Sequence, residues 1–508
     1  MQYLKNIRVV LSLLFFLPIL LFFIDFTGKL PIELHQLLSL QWLPALLSLN
    51  MVMLSVLLIL SVLFGRLYCS TICPLGVFQD IVSWKARFFF KRKMRFNFRK
   101  AQNILRYSIL AITIIGFIAG SSIFIVLLDP YSTFGRIVSQ FIRPIAIFAN
   151  NQAAGLGSQM GFYALHEVNQ SAFVPVSFGI SLFFVLLVSI LSWSKGRLYC
   201  NTICPVGSGL GLLSKFSVFK IAFDHSQCNT CGLCEKKCKS ECIDSQKRTV
   251  DESRCVSCFN CISACKKGGI NLDFRYKKSS APPVDSNTTS SRRAFLVSSG
   301  AILATAAFAA PKKLISNNDL ILDRKPIMPP GATDRSHFNK HCTACQLCIT
   351  KCPMNVLKPA ALQYGLSGIM QPHLVVSTEV FCSFDCDICT SVCPTGALKK
   401  SDLATKKRTQ IGIAKFRREL CVVQVHEKDC GACAEHCPTQ AVHMVQYKNG
   451  LTIPEVTENI CIGCGGCESI CPVHPYPAIY IEGTESQKLA LKPKEAEKFT
   501  KKVDDFGF

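Results

Sequence analysis

Twenty-nine cysteines stand in a chain of 508 residues, and most fall in C-x2-C-x2-C-x3-C runs. Thiolates at these intervals hold iron–sulfur cubanes: three close cysteines wrap one centre, and the fourth reaches across to a neighbouring one. Two runs lie within forty residues, Cys228, Cys231, Cys234, Cys238 and Cys255, Cys258, Cys261, Cys265. The crossed pattern assigns Cys228, Cys231 and Cys234 with Cys265 to one 4Fe–4S centre, and Cys255, Cys258 and Cys261 with Cys238 to another. Zinc competes for paired C-x2-C units and disulfides compete for close cysteines; the repeated third and fourth cysteines favour iron–sulfur over both. Lys239 and Lys266 stand where a proline usually follows the fourth cysteine, and Cys242 reads as a spare or buried thiol.

Four more groups follow: Cys342, Cys345, Cys348, Cys352; Cys382, Cys386, Cys389, Cys393; Cys421, Cys430, Cys433, Cys437; and Cys461, Cys464, Cys467, Cys471. Each closes with Cys-Pro. They imply four further 4Fe–4S centres, six in all, with Cys421 the irregular member because of its distance from Cys430. Spacing leaves open which fourth cysteine serves which centre. His341, His436 and His474 adjoin ligand cysteines and are expected to tune potential rather than replace a thiolate.

A different motif occurs twice: Gly65-Arg66-Leu67-Tyr68-Cys69-Ser70-Thr71-Ile72-Cys73-Pro74-Leu75-Gly76, and Gly196-Arg197-Leu198-Tyr199-Cys200-Asn201-Thr202-Ile203-Cys204-Pro205-Val206-Gly207. In a helix the paired cysteines share a face. A pseudo-symmetric pairing of the two copies would bring Cys69, Cys73, Cys200 and Cys204 together as ligands of an additional centre; a structural or redox-active thiol pair is the alternative.

The elements that must position these residues are apolar. Val9 to Ile24, Leu43 to Phe64, Ile104 to Leu128 and Phe173 to Trp193 have the character of spanning helices. Lys85, Arg87, Lys91, Arg92, Lys93, Arg95, Arg99 and Lys100 lie between the second and third, whereas the flanking connections hold only Lys29, and Arg136 with Arg143. The positive-inside rule then places the N-terminus and everything after the fourth helix in the cytoplasm. The stretch from Trp84 to Arg99 is expected to lie along the anionic inner surface. Further on, Ser290-Ser291-Arg292-Arg293-Ala294-Phe295-Leu296, an Ala/Gly-rich run and Ala307-Phe308-Ala309 have the parts of a twin-arginine export signal. A fifth crossing there would put the last four cysteine groups outside. Export of a folded, metallated domain would keep sixteen ligand thiols from oxidation.

The net charge of +23 does not argue for nucleic acid, because much of it flanks apolar segments and six tetrathiolate centres at about −2 each would reduce it to about +11. No C-x2-C-H exists for c-type haem, the apolar segments carry no histidine for b-type haem, and no G-x-G-x-x-G follows a strand, so neither haem, flavin nor NAD is expected. Apolar surface beside redox centres suits a lipid-soluble quinol; Glu33, His35, Asp129, His166 and Glu167 are the outer-side candidates for its proton acceptor, each with the plainer reading of a solvated loop residue.

Residues 1 to about 275 resemble the NapH-type membrane ferredoxins and the membrane part of NosR-type proteins. Residues from about 288 to 480, with Pro329-Pro330-Gly331-Ala332 ahead of the first cysteine group, are similar to NapG- or MauM-type exported ferredoxins. The resemblance implies a fusion: a membrane α-helical bundle of four helices plus a fifth signal or anchor helix, with α+β bacterial ferredoxin-like domains on both sides. The expected divisions are a four-helix domain (1–222), an inner two-cluster domain (223–275), a linker (276–290), the twin-arginine segment (291–311), a second linker (312–340), an outer four-cluster domain (341–485) and a basic tail (486–508). The implied activity is that of a quinol dehydrogenase module in the bacterial inner membrane, passing electrons from menaquinol or ubiquinol to a periplasmic reductase or cytochrome, with the twin-arginine transporter as a partner in biogenesis. An assembly or regulatory factor for a periplasmic metalloenzyme is the alternative, and a cytoplasmic subunit of a ferredoxin-linked complex is a third reading.

Overall fold

The computed structural model describes residues 3–28, 30–31, 36–89, 96–161, 163–169, 173–275 and 324–491. The twin-arginine segment, Glu33 and His35 lie outside them.

Thirteen described helices build the first part. They are α1 (Tyr3–Ile24), α2 (Gln36–Ser39), α3 (Trp42–Leu47), α4 (Met51–Phe64), α5 (Tyr68–Thr71), α6 (Pro74–Phe89), α7 (Asn103–Ile118), α8 (Ile123–Leu128), α9 (Pro130–Ile137), α10 (Arg143–Gln159), α11 (Pro175–Lys195), α12 (Leu198–Thr202) and α13 (Pro205–Ser214). Among the described residues only α1 and α11 are long and apolar enough to cross a membrane; α4 and α7 are apolar but shorter. The second and third apolar segments, expected to be continuous, are broken. Leu49 takes a positive φ of 52° and Asn50 caps α4 by accepting from the Met53 amide, while the third segment stops at Gly120, φ 86°. All four apolar helices leave large side chains exposed, among them Leu14, Leu17, Val52, Ile59, Ile114, Ile118, Phe183 and Ile190.

Both copies of the repeated motif begin with a helix stop. Gly65 and Gly196 adopt φ of 67° and 63°, a conformation that costs other residues 1–2 kcal/mol by a rough estimate. Each turns the chain back on itself, so that α4 is followed by the short α5 and α11 by the short α12. Pro74 and Pro205 then open α6 and α13 at the first helical position, where the missing N–H is no loss.

A first ferredoxin-type module follows, with β1 (Phe219–Phe223) paired antiparallel to β4 (Ile270–Phe274) and β2 (Ile243–Asp244) to β3 (Thr249–Val250). Described residues 324–491 include a second module, in which residues on both sides of the expected 341–485 take part: Gly483 N donates to Lys325 O and Leu491 N to Asn459 O. Its hairpins pair β5 (Leu357–Pro359) with β6 (Pro372–Leu374) and β8 (Val442–Gln446) with β9 (Thr452–Val456); β7 (Thr409–Phe416) pairs with β10 (Ile479–Leu489).

The long helices connect the two modules. Leu4, near the start of α1, packs on the first module's core, and Asp25, just past its end, pairs with Lys351 of the second. In α11, Ser177 accepts from the Gln346 amide of the second module, while at the other end Arg197 N donates to Lys239 O of the first. With 22 residues at 1.5 Å rise, α1 separates the modules by about 33 Å.

Candidate iron–sulfur centres

The cysteine loops owe their shape to paired left-handed residues. Thr230 and Gly232, Ser257 and Phe259, Ala344 and Gln346, and Gly463 and Gly465 all have φ between 48° and 90°. These lie two and four positions after the first cysteine of the four groups with strict C-x2-C-x2-C spacing. Such alternation curls the backbone and turns successive amides inward, a concavity that suits an anion.

Between the loops lie cavities that resolve what spacing left open. One is lined by Cys228, Cys231, Cys234 and Cys265. A second is lined by Cys382, Cys386 and Cys389 with Cys352. A third is lined by Cys421, Cys430 and Cys433 with Cys471. Electrostatic interactions agree with the remaining sets: Cys261 interacts with Cys258, Cys255 and Cys238, Cys348 with Cys345, Cys342 and Cys393 and also with Cys389 of the neighbouring set, and Cys467 with Cys464, Cys461 and Cys437 and also with Cys433 of the neighbouring set. In every case the fourth sulfur comes from the other group of a pair. Among the described residues no His, Cys, Asp or Glu group closes tightly enough to hold a single metal ion; the sulfurs stand around space instead. Backbone amides of Gly269, Leu398, Ala441 and Ala414 donate to Cys265, Cys393, Cys437 and Cys461 at 3.2–3.4 Å, a contact that favours thiolate. These amides reach three of the sulfur sets, and thiolates grouped in this way fit several 4Fe–4S clusters.

Cys242 is fully enclosed, its sulfur 3.5 Å from that of Cys238. The hydrogen bond from Cys242 is the main reason that the Cys238 thiol is drawn down to about 7.

The repeated motif brings Cys69, Cys73, Cys200 and Cys204 into one buried group; each is at most 4 % exposed, and the four interact electrostatically. The pairing is reciprocal. Arg66 donates to Cys200 O at 2.9 Å, and Arg197 donates to Cys69 O. A Cβ on Gly76 would fall 2.2 Å from Cys69 O, and one on Gly207 would fall 2.3 Å from Cys200 O, so the glycine that closes each copy of the motif is required by close approach. Cys204 caps α13 by accepting from the Gly207 amide at 3.3 Å, placing its sulfur at the positive end of a helix. Gln79 donates to the Cys200 sulfur at 3.1 Å. This set fits a further anionic centre.

One hydrophobic core joins these groups. It contains Cys69, Cys73, Cys204 and Cys258 of the first module, and Cys345 and Cys348 of the second pack against it. The second module enters it at α9, where a Cβ on Gly135 would lie 2.5 Å from Cys345 O. Tyr131 of α9 is buried in the same core, in electrostatic contact with Cys345, Cys393 and Cys348.

The other expected residues are scattered. His166 and Glu167 are exposed, and the His166 carbonyl accepts from the Asn150 side chain. Asp129 is not a solvated loop residue: it is 1 % exposed and caps α9, accepting from the Ser132 amide and hydroxyl. His341 contacts the carbonyl of His337, and His436 and His474 are exposed. Sequence reasoning missed Arg66 and Arg197, although both copies of the motif display them, and missed Asp80. Asp80 is bound by Arg8, Arg197 and Lys239 at 2.6–3.1 Å. Burial alone would raise its carboxyl; the neighbouring charges, Arg197 and Lys239 first, outweigh it and hold it far below the usual range.

Comparison with known proteins agrees with this geometry. A 4Fe-4S binding domain matches residues 47–97 and 177–223, one segment on each copy of the repeated motif. 4Fe-4S dicluster domains match residues 341–398 and 428–474. The methylamine utilization ferredoxin-type protein MauM of Methylophilus methylotrophus is 34% identical over 164 residues, covering 30% of this chain and 71% of that protein. Ferredoxin-type protein NapG of Escherichia coli (strain K12) is 31% identical, covering 30% and 69%; NapF of the same strain is 28% identical over 155 residues, covering 30% and 85%. No solved structure matches. With several iron–sulfur domains and relatives of this closeness, the chain belongs to the MauM and NapG family of ferredoxin-type electron-transfer proteins.

Proposed function

We propose that the chain is a quinol dehydrogenase module of a bacterial inner membrane, passing electrons from menaquinol or ubiquinol to a periplasmic reductase or cytochrome. The carrying observation is the continuous core that links cysteines of the first module, the repeated motif and the second module. The first module is then cytoplasmic and the second periplasmic. The exposed apolar side chains of α1, α4, α7 and α11 support a helical bundle in lipid, since large apolar patches are costly in water. The NapG and MauM relatives support a periplasmic pathway.

Six 4Fe–4S clusters, and a further centre at Cys69, Cys73, Cys200 and Cys204, would supply one-electron carriage; the chain's residues supply distance, orientation and potential. Oxidation of a quinol releases two electrons and two protons. The long separation between the modules forbids a single hop, and the buried motif cysteines divide it. Gly135 admits the Cys345 loop against α9, Tyr131 is buried in the same core, and Asp129 fixes α9 by capping it.

Purified full-length protein in detergent, given a quinol and a redox dye, tests the reading. Sustained dye reduction, with iron and sulfide for at least six cubanes, is the expected result. Full clusters without turnover would favour the assembly-factor reading, and a wholly cytoplasmic C-terminal reporter would end the topology.

A further inference from the structure

Lys239 occupies the position after a fourth cysteine where Pro353, Pro394, Pro438 and Pro472 stand in the second module. Its ammonium lies 2.6 Å from Asp80 Oδ2, with 5 % of the side chain exposed. Lys266, the other departure from proline, is exposed. Asp80 also receives Arg197 Nε at 2.8 Å and Arg8 at 3.1 Å, so three cations face one carboxylate. The Cys258 sulfur lies within electrostatic reach of Lys239, Arg8 and Arg87. The backbone meets at the same place: Lys239 O accepts from Arg197 N at 2.9 Å, and a Cβ on Gly196 would fall 2.5 Å from that oxygen. Lys239 therefore follows a cysteine of one set and is hydrogen-bonded three residues before Cys200 of another.

We propose that Lys239 and Asp80 form an electrostatic joint that sets the potential of the centre held by Cys238, Cys255, Cys258 and Cys261, and seats it against the motif cysteines. This rests on the reading of those cysteines as cluster ligands. A buried cation favours the more negative, reduced form of a nearby cluster and raises its potential, and low surrounding polarizability leaves the effect weakly screened. Asp80 partly offsets the cations. A proline could neither carry the charge nor reach α6. Lys239 and Asp80 are positioning residues.

The test is an EPR-monitored redox titration of the full chain in detergent. Lys239→Met lowers the midpoint of one first-module centre by about a tenfold change in its oxidised-to-reduced ratio, about 59 mV for one electron. Asp80→Asn raises the same midpoint, and Lys239→Arg restores the wild-type value. A merely structural role would move the first two variants in the same direction. Should Asp80→Asn not fold alone, the double variant Lys239→Met with Asp80→Asn serves: its midpoint is expected above that of Lys239→Met, whereas two structural losses would add. An unchanged midpoint in Lys239→Met at full iron content, or shifts of one sign in Lys239→Met and Asp80→Asn, overturns the joint. Failure of the underlying reading shows separately, as wild-type protein with no first-module iron signal; absence of quinol turnover leaves the midpoints measurable.

Discussion

Lys351 of the second module and Asp25 at the end of α1 form an ion pair at 2.5 Å with less than a tenth of either side chain exposed. The Lys351 ammonium also lies 5.4 Å from the centroid of the Phe22 ring. Lys351→Met leaves a buried carboxylate without its partner, a loss of about 3–5 kcal/mol. Denaturant unfolding of the second module is expected to begin earlier in this variant, and adding Asp25→Asn is expected to recover most of the loss. A double-mutant cycle with no coupling would show that the pair does not hold the modules together.

Gly135→Ala is expected to press the Cys345 loop away from α9, because the added carbon would lie 2.5 Å from Cys345 O and 2.7 Å from the Phe23 ring. Rapid-mixing reduction of the second-module clusters should slow severalfold at unchanged iron content. Gly155→Ala, where the new carbon meets nothing within 4 Å, is the matched control.

Crossed ligation makes separable predictions. Cys437→Ser should perturb the EPR signal of the centre held by Cys461, Cys464 and Cys467, whereas Cys471→Ser should perturb that of Cys421, Cys430 and Cys433. Paired with single replacements of those partners, each variant should be silent toward the other centre.

Arg66→Leu deprives Cys200 O, Asn201 Oδ1 and Ser253 O of a shared donor at 2.7–3.2 Å, at roughly 1–3 kcal/mol for each acceptor left buried. Iron attributable to the motif cysteines should be lost while the six ferredoxin-type centres remain. Arg66→Lys should recover little, since an ammonium cannot reproduce the fork.

His373 is the middle residue of β6, opposite Lys358 of β5; it is 8 % exposed, its ring nitrogen 3.0 Å from Lys358 O. Burial is the chief cause of its fall from 6.5 to about 4. The neutral ring's contribution is therefore complete above the unfolded value, near 6.5, and fades as pH falls toward 4, because the unfolded chain takes up the proton first. Full loss amounts to about 3 kcal/mol. Denaturant midpoints should fall less between pH 6.5 and 4.5 in His373→Gln than in the wild type.

What the sequence displayed best was local and repetitive. Cysteine intervals announced the wrapped loops, because three thiols and two left-handed turns occupy one short stretch. The matching of fourth cysteines in the second module was not legible, since it depends on which loops fold against each other. Helix limits were misread where a single residue decides: Asn50 caps and Gly120 turns inside otherwise apolar runs. Asp129 looked solvated because its neighbours in sequence are loop-like, yet its burial comes from α9 folding under the second module. Arg66 stood in the repeated motif and Lys239 in a proline's place without an assigned partner, and Asp80 drew no notice; their roles appear only when residues separated by 135 or 159 positions meet.

Each copy of the repeated motif lends its arginine to the cysteine loop of the other copy. Removing either copy would leave the other's cysteine carbonyl without its arginine donor, so the two halves of the helical part are expected to complete their folding together rather than one after the other.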